Sequence, residues 1–168
     1  MMRALGSLLL ALGAAALGAM SAQGVRRAGA ELSDFETACA RMAALLEFQR
    51  LPLPQLLRAS AEGLSAPVRG FFDAAADLLG RDPACTCAQA FFRAPFPDGL
   101  PADARRALMS LAGSLGRTDA DGQVRAITLC ARQLGELSAR FSSERAGRVR
   151  CRYALGFGAA LVLTILLR

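Results

Sequence analysis

The chain has 168 residues, enough for one domain with its own core, and 54% of them are hydrophobic. Its formal net charge is +6, and every basic residue is Arg because the sequence contains neither Lys nor His. These absences exclude catalysis by a His base or a Schiff-base Lys, and no Gly-rich phosphate-binding loop precedes a Ser or Thr. We therefore expect a protein that is not an enzyme and that holds no cofactor or metal.

The first 25 residues predict a transmembrane anchor. Residues 4–25 carry no charge and are mostly Ala, Leu and Gly, and a bilayer span needs about 20 apolar residues. A cleaved signal peptide is the alternative, because small residues such as Ala19 and Ser21 suit a cleavage site. The alternative protein would be an exported helical protein with a C-terminal membrane anchor. Charge favours the uncleaved anchor, because a cytoplasmic middle keeps nearly all flanking Arg residues inside.

The middle of the chain predicts a bundle of about six helices without strands, because alternating runs of β-branched residues are missing. Ser33 and Glu36 have the spacing of a capping box at the start of the first helix. Pro and Gly residues divide the rest of the middle into further helices. The predicted helices cover 33–49, 54–61, 67–79, 85–93, 102–115 and a long final segment from Asp119 to Leu167.

That final segment begins with an amphipathic stripe formed by Val124, Ile127, Ala131, Leu134 and Phe141. It continues through an Arg-rich stretch into residues 153–167, which carry no charge. The pattern predicts that the last bundle helix is continuous with a C-terminal transmembrane helix. This apolar run is short for a span, and a helix embedded in one leaflet is the alternative.

We therefore divide the chain into a transmembrane anchor (1–25), a cytoplasmic helical bundle (26–150) and a C-terminal transmembrane helix (151–168). Arg residues beside the two apolar segments are expected to contact anionic lipid head groups rather than nucleic acid. The predicted membrane-surface residues are Arg26, Arg27, Arg145, Arg148, Arg150 and Arg152.

The five Cys residues are an odd set without repeated spacing, which favours reduced thiols in a cytosolic domain over a disulfide framework. Cys85 and Cys87 lack further ligands at a suitable spacing, and we interpret them as small packing residues rather than a metal or redox pair.

Two runs carry a resemblance to a known family. They are Leu-Pro-Leu-Pro at 51–54 and Gly-Ser-Leu-Gly-Arg-Thr-Asp at 113–119, with Gln123 one turn later. Together with the apolar segments at both ends, these runs resemble the stage III sporulation protein AB family over almost the full chain. That family is similar to the cytoplasmic domain of the inner-membrane platform protein of type II secretion.

The resemblance implies a membrane platform in the channel between mother cell and forespore, with the bulk of the chain in the mother-cell cytoplasm. Its implied partners are the other membrane proteins of that channel and its ATPase, and a homo-oligomer is compatible with this role. The residues of the second run form a joint before the last helix, where Gly116 can take left-handed angles and Asp119 can cap the helix. The candidate joint or partner-contact residues are Leu115, Gly116, Arg117, Asp119 and Gln123.

Overall fold

The computed structural model describes residues 27–49 and 51–141, and all regular secondary structure in these ranges is helical. Six helices follow one another: α1 (27–49), α2 (Leu53–Ser60), α3 (Ala66–Arg81), α4 (Cys87–Arg93), α5 (Ala102–Ser114) and α6 (120–141). The predicted all-α bundle of six helices is confirmed. Within the described ranges, no helix has both the length and the apolar character needed to cross a bilayer. The two predicted membrane segments and the predicted continuation of α6 lie outside those ranges.

Helices α1 and α6 pack side by side in opposite directions. Glu36 of α1 lies against α6, where its Oε1 is 2.7 Å from the position of a Cβ on Gly135. Further along, Cys39 hydrogen-bonds to Cys130, and Leu46 lines a cleft with Val124. As residue numbers rise along α1 they fall along α6. Residues 27 and 141 therefore share one end of the bundle, which we call the terminal end, and residues 48 and 120 share the far end.

The centre of the core is a cluster of five Phe rings. Phe71 of α3 lies at its middle, with ring centroids 5.6 Å from Phe35, 5.3 Å from Phe72, 5.1 Å from Phe91 and 4.4 Å from Phe96. The cluster thereby joins α1, α3, α4 and the connector that follows α4. The predicted stripe of α6 closes the core from the other side, with Ile127 and Leu134 fully buried.

The predicted capping box at Ser33 and Glu36 is wrong, because α1 is already helical at residue 27. The Thr37 hydroxyl instead donates to the Ser33 carbonyl at 2.8 Å, a bond made within the helix. A capping box is found instead at the start of α4. There the Gln89 amide donates to Thr86 Oγ1 at 3.3 Å, and the Thr86 amide donates to Gln89 Oε1 at 3.0 Å.

Replacement of Thr86 by Ala is expected to destabilise the bundle by about 1 kcal/mol, because a backbone donor at the start of α4 loses its acceptor. Chemical denaturation of the full chain in mild detergent, followed by circular dichroism, measures the loss. Thr128→Ala is the matched control, because the Thr128 hydroxyl donates to the Val124 carbonyl inside α6 and caps nothing. Equal losses in the two variants would contradict the capping role.

The four Cys residues in the described ranges are free and differ in burial. Burial raises the pKa of the Cys87 thiol to about 12. The hydrogen bond with Cys130, followed by burial, raises the pKa of Cys39 well above its ordinary value. Cys85 is only half-buried.

In a Cys151→Ser variant at pH 8, Cys85 is expected to react with a maleimide well before Cys39 and Cys87. The thiolate is the reactive form, and its fraction falls tenfold for each pH unit below the pKa. Labelling of Cys87 should accelerate as the pH rises toward 12. Peptide mass spectrometry after timed labelling measures the order, and rapid labelling of Cys87 at neutral pH would contradict it.

Candidate partner-binding end of the bundle

The joint between α5 and α6 is a tight turn that needs glycine. Leu115 has φ −63° and ψ 129°, Gly116 has φ +76°, and the Arg117 amide donates to the Ser114 carbonyl at 3.2 Å. These values match a type II β-turn, whose third residue requires a positive φ. Gly116 thus lies one residue beyond the helix C-cap, which is Leu115.

Side-chain hydrogen bonds tie this turn to the first turn of α6. The Thr118 hydroxyl donates to the Ser114 carbonyl at 3.3 Å, and Gln123 Nε2 donates to the Thr118 carbonyl at 2.8 Å. The Asp119 carboxylate lies over the start of α6, where its Oδ1 is 2.6 Å from the position of a Cβ on Gly122. The joint is therefore a defined shape rather than a loose connection.

The five candidate joint residues are adjacent, but they face different surroundings. Leu115 is buried in the core with 2% of its surface exposed, whereas Arg117 and Asp119 are exposed. Gln123 is half-buried and acts within the joint. Gly116 is exposed as well but has no side chain, so Arg117 and Asp119 are the members of this set whose exposed side chains can contact another protein.

The joint also brings together the two runs that carry the family resemblance. A Cβ on Gly116 would lie 3.9 Å from Leu53 Cδ2, at the first residue of α2. Leu53 belongs to the Leu-Pro-Leu-Pro run, which therefore packs against the joint at the far end of the bundle.

An exposed aromatic residue completes this end. Phe48, near the end of α1, has 82% of its surface exposed. Between α1 and α6 at this end lies a cleft of about 230 Å³, and Phe48 is not part of its wall. The cleft is lined by Leu46, Glu47, Ala120, Asp121, Val124 and Arg125. Phe48 was not among the residues predicted from the sequence. Its position off the buried stripe of α1 is the signal that could have revealed it.

The far end offers an exposed aromatic ring, exposed guanidinium and carboxylate groups, and a small cleft lined by both apolar and charged residues. Exposed aromatic and Arg side chains are typical anchors of protein–protein interfaces. None of the described residues forms a cluster of three or more metal-ligating side chains. The arrangement is suited to contact with another protein.

Of the predicted membrane-surface residues, Arg27 lies in the described part of the chain, and it belongs to the opposite end. Arg27 is exposed at the terminal end. Arg26, Arg145, Arg148, Arg150 and Arg152 lie outside the described residues, and their role stays a prediction.

Comparisons with known proteins agree on one family. A family model described as Stage III sporulation protein AB matches residues 3–168. A solved structure named Stage III sporulation protein AB is similar to this chain with a TM-score of 0.61 and 18% sequence identity, over 72% of this chain and 98% of that one. A search of curated proteins gives no significant match. At this identity the structural likeness supports the fold, and the sequence match carries the family assignment.

Proposed function

Because the chain belongs to the stage III sporulation protein AB family, we propose that it is a non-enzymatic platform component of the sporulation channel between mother cell and forespore. In this role it couples a cytoplasmic ATPase to the membrane channel. It resides in the mother-cell membrane around the forespore, with its helical bundle in the cytoplasm.

The antiparallel packing of α1 and α6 is the observation that carries this proposal. Residues 27 and 141 share the terminal end of the bundle, and the apolar runs 4–25 and 153–167 are their neighbours in sequence. Both runs can therefore enter one membrane without either one crossing the bundle. A chain of this kind is tethered twice on the same side.

Tethering at the terminal end directs the far end into the cytoplasm. At 1.5 Å per residue, α1 places the far end roughly 35 Å from the terminal end. Phe48, Arg117 and Asp119 would then be accessible to a cytoplasmic partner, while the Arg residues beside the apolar runs contact anionic head groups. We assign the ATPase to the far end and the other channel proteins to the membrane segments.

Replacement of Phe48 by Ser tests the assignment. The full chain in nanodiscs is immobilised, and its affinity for the purified ATPase of the same channel is measured by biolayer interferometry. Loss of a central aromatic contact at an interface costs about 2 kcal/mol or more, which corresponds to about a thirtyfold weaker affinity. The fold should be unaffected because the ring is exposed.

Leu129→Ser is the matched control, because Leu129 is also an exposed apolar residue, at 57%, but lies along α6 away from the joint. We expect this variant to bind the ATPase as the parent does. Unchanged binding of Phe48→Ser would reject the far end as the docking site. Absence of any binding by the parent chain would reject the coupling role.

A further inference from the structure

Two neighbouring clefts lie toward the terminal end of the bundle, and Phe96 forms part of the wall of both. The first, of about 860 Å³, opens between the start of α1, the start of α3 and the connector after α4. The second, of about 660 Å³, lies between α4 and α5. We call the first the acidic cleft, after Glu31, and the second the basic groove, after Arg105.

The acidic cleft contains two buried oxygens without hydrogen-bond partners, and Arg27 is the one cation among the described residues of its wall. Glu31 Oε2 and Ser65 Oγ are buried and have no hydrogen-bond partner. Burial is the largest cause of a raised pKa of the Glu31 carboxyl. The Arg27 charge lowers this pKa, the Asp34 and Asp98 charges raise it, and the net effect is a rise. Buried polar atoms in folded proteins almost always have partners. The wall contributed by Phe71 and Phe96 is apolar, so the cleft suits a cation with an apolar stem or neighbour.

The basic groove carries a cation of this kind together with aromatic rings. Phe92 projects from α4 with 78% of its surface exposed. The Arg105 guanidinium lies 4.9 Å from the centroid of the Phe96 ring, and that ring stacks against Phe71. Arg106 already pairs with Asp103. Arg105 has no carboxylate partner among the described residues, and its contact with Phe96 restricts it before any partner arrives.

We propose that the two clefts are the two halves of an interface between two copies of this chain. Phe92 and Arg105 of each copy enter the acidic cleft of the other, and Arg105 pairs with Glu31 of the partner subunit. In a two-fold dimer the contact between the basic groove of one copy and the acidic cleft of the other forms twice. Both contacts can form together because the groove and the cleft are neighbours on each copy. The shared wall at Phe96 places the two-fold axis beside the connector 94–101.

Membrane tethering is compatible with this dimer. The acidic cleft contains Arg27 and Glu31 from the terminal end of α1. The first half of α5, which lines the basic groove, also lines a cleft with residues 133–140 of α6. Both patches therefore lie at a similar height, and a two-fold axis along the bundle leaves both terminal ends on one side. The dimer requires neither the ATPase nor the channel, so its test is independent of the proposed function.

Charge exchange tests the pairing in the full chain, purified in mild detergent and analysed by light scattering and sedimentation. The parent is expected to be a dimer. Arg105→Glu alone and Glu31→Arg alone are each expected to be monomers, because two like-charge pairs would meet in each homodimer. An equimolar mixture of the two variants should restore the dimer. In the mixed dimer one pair is the native Arg105 with Glu31, and the other is the same pair with its two charges exchanged. Arg132→Glu, an exposed charge change elsewhere, should leave the dimer intact.

A second measurement does not depend on the fold of the charge variants. In a chain with Cys85→Ser and Cys151→Ser, Pro95→Cys places a thiol beside the two-fold axis, and copper phenanthroline with oxygen should oxidise two such thiols to an intermolecular disulfide. Phe92→Ser should reduce this cross-link at least tenfold. A monomeric parent, a dimer unaffected by Arg105→Glu, or no cross-link at residue 95 would each overturn the proposal. A monomer in which anionic lipid protects Arg105 from trypsin would assign the groove to lipid and also overturn it.

Discussion

Replacement of Phe71 by Ala is expected to destabilise the bundle by about 3–5 kcal/mol, the largest effect we predict for a single substitution. The Phe71 ring is fully buried and packs against Phe35, Phe72, Phe91 and Phe96. Removing it leaves a cavity at the point where α1, α3, α4 and the connector meet. Because that connector separates the acidic cleft from the basic groove, both should lose their shape as well.

Chemical denaturation of the full chain in mild detergent measures this loss. Phe48→Ala is the matched control, because the same side chain is removed at a position where 82% of it is exposed. Surface changes of this kind usually shift stability by less than about 0.5 kcal/mol. A loss below about 1.5 kcal/mol for Phe71→Ala would mean that the five rings do not form one packed cluster.

Replacement of Gly116 by Val is expected to destabilise the bundle by about 1–3 kcal/mol and to disturb the far end. Gly116 has φ +76°, which a β-branched residue adopts only under strain. A steric clash does not cause this loss of stability, since the nearest atom to an added Cβ is Leu53 Cδ2 at 3.9 Å. The cost therefore reports on the turn itself, and it should be accompanied by weaker binding of the ATPase.

Gly113→Ala provides the comparison. Gly113 lies inside α5, three residues before Gly116, and an added Cβ there meets nothing within 4 Å. Ala is a better helix former than Gly, so this variant should be more stable than the parent by about 0.5–1 kcal/mol. If Gly116→Val melted like the parent, the type II turn would not be the structure that orients α6.

The helices were predictable because apolar spacing and Pro or Gly breaks act locally. The run Leu-Pro-Leu-Pro ends one helix before the next, Gly80 and Pro83 bracket the end of α3, and the stripe of α6 recurs at helical spacing. The predicted capping box at Ser33 was wrong because contacts with distant parts of the chain decide where α1 begins. Its spacing to Glu36 suits a helix start, but the segment from residue 27 is also helical and buries Ala28 and Leu32. Tertiary burial overrode the local signal.

The candidate site was predictable only in part. The requirement for glycine at residue 116 follows from the position of that residue between two helical patterns. The neighbours of the joint could not be predicted in this way. The contact with Leu53 and the exposure of Phe48 depend on how α1, α2 and α6 pack. The two clefts beside Phe96 were also not predictable, because they too arise from the packing of the helices. They join residues of five separate segments, and no periodicity within one segment indicates such a meeting.

The central claim is that a helical bundle in the cytoplasm is tethered to one membrane by both ends of the chain. Cys85 is the suitable native reporter, because Cys39, Cys87 and Cys130 are buried. In sporulating cells that carry the Cys151→Ser variant, a membrane-impermeant maleimide should label Cys85 only after the membranes are permeabilised. Labelling of Cys85 in intact cells, at the rate seen after permeabilisation, would place the bundle outside the cytoplasm and contradict the proposed topology.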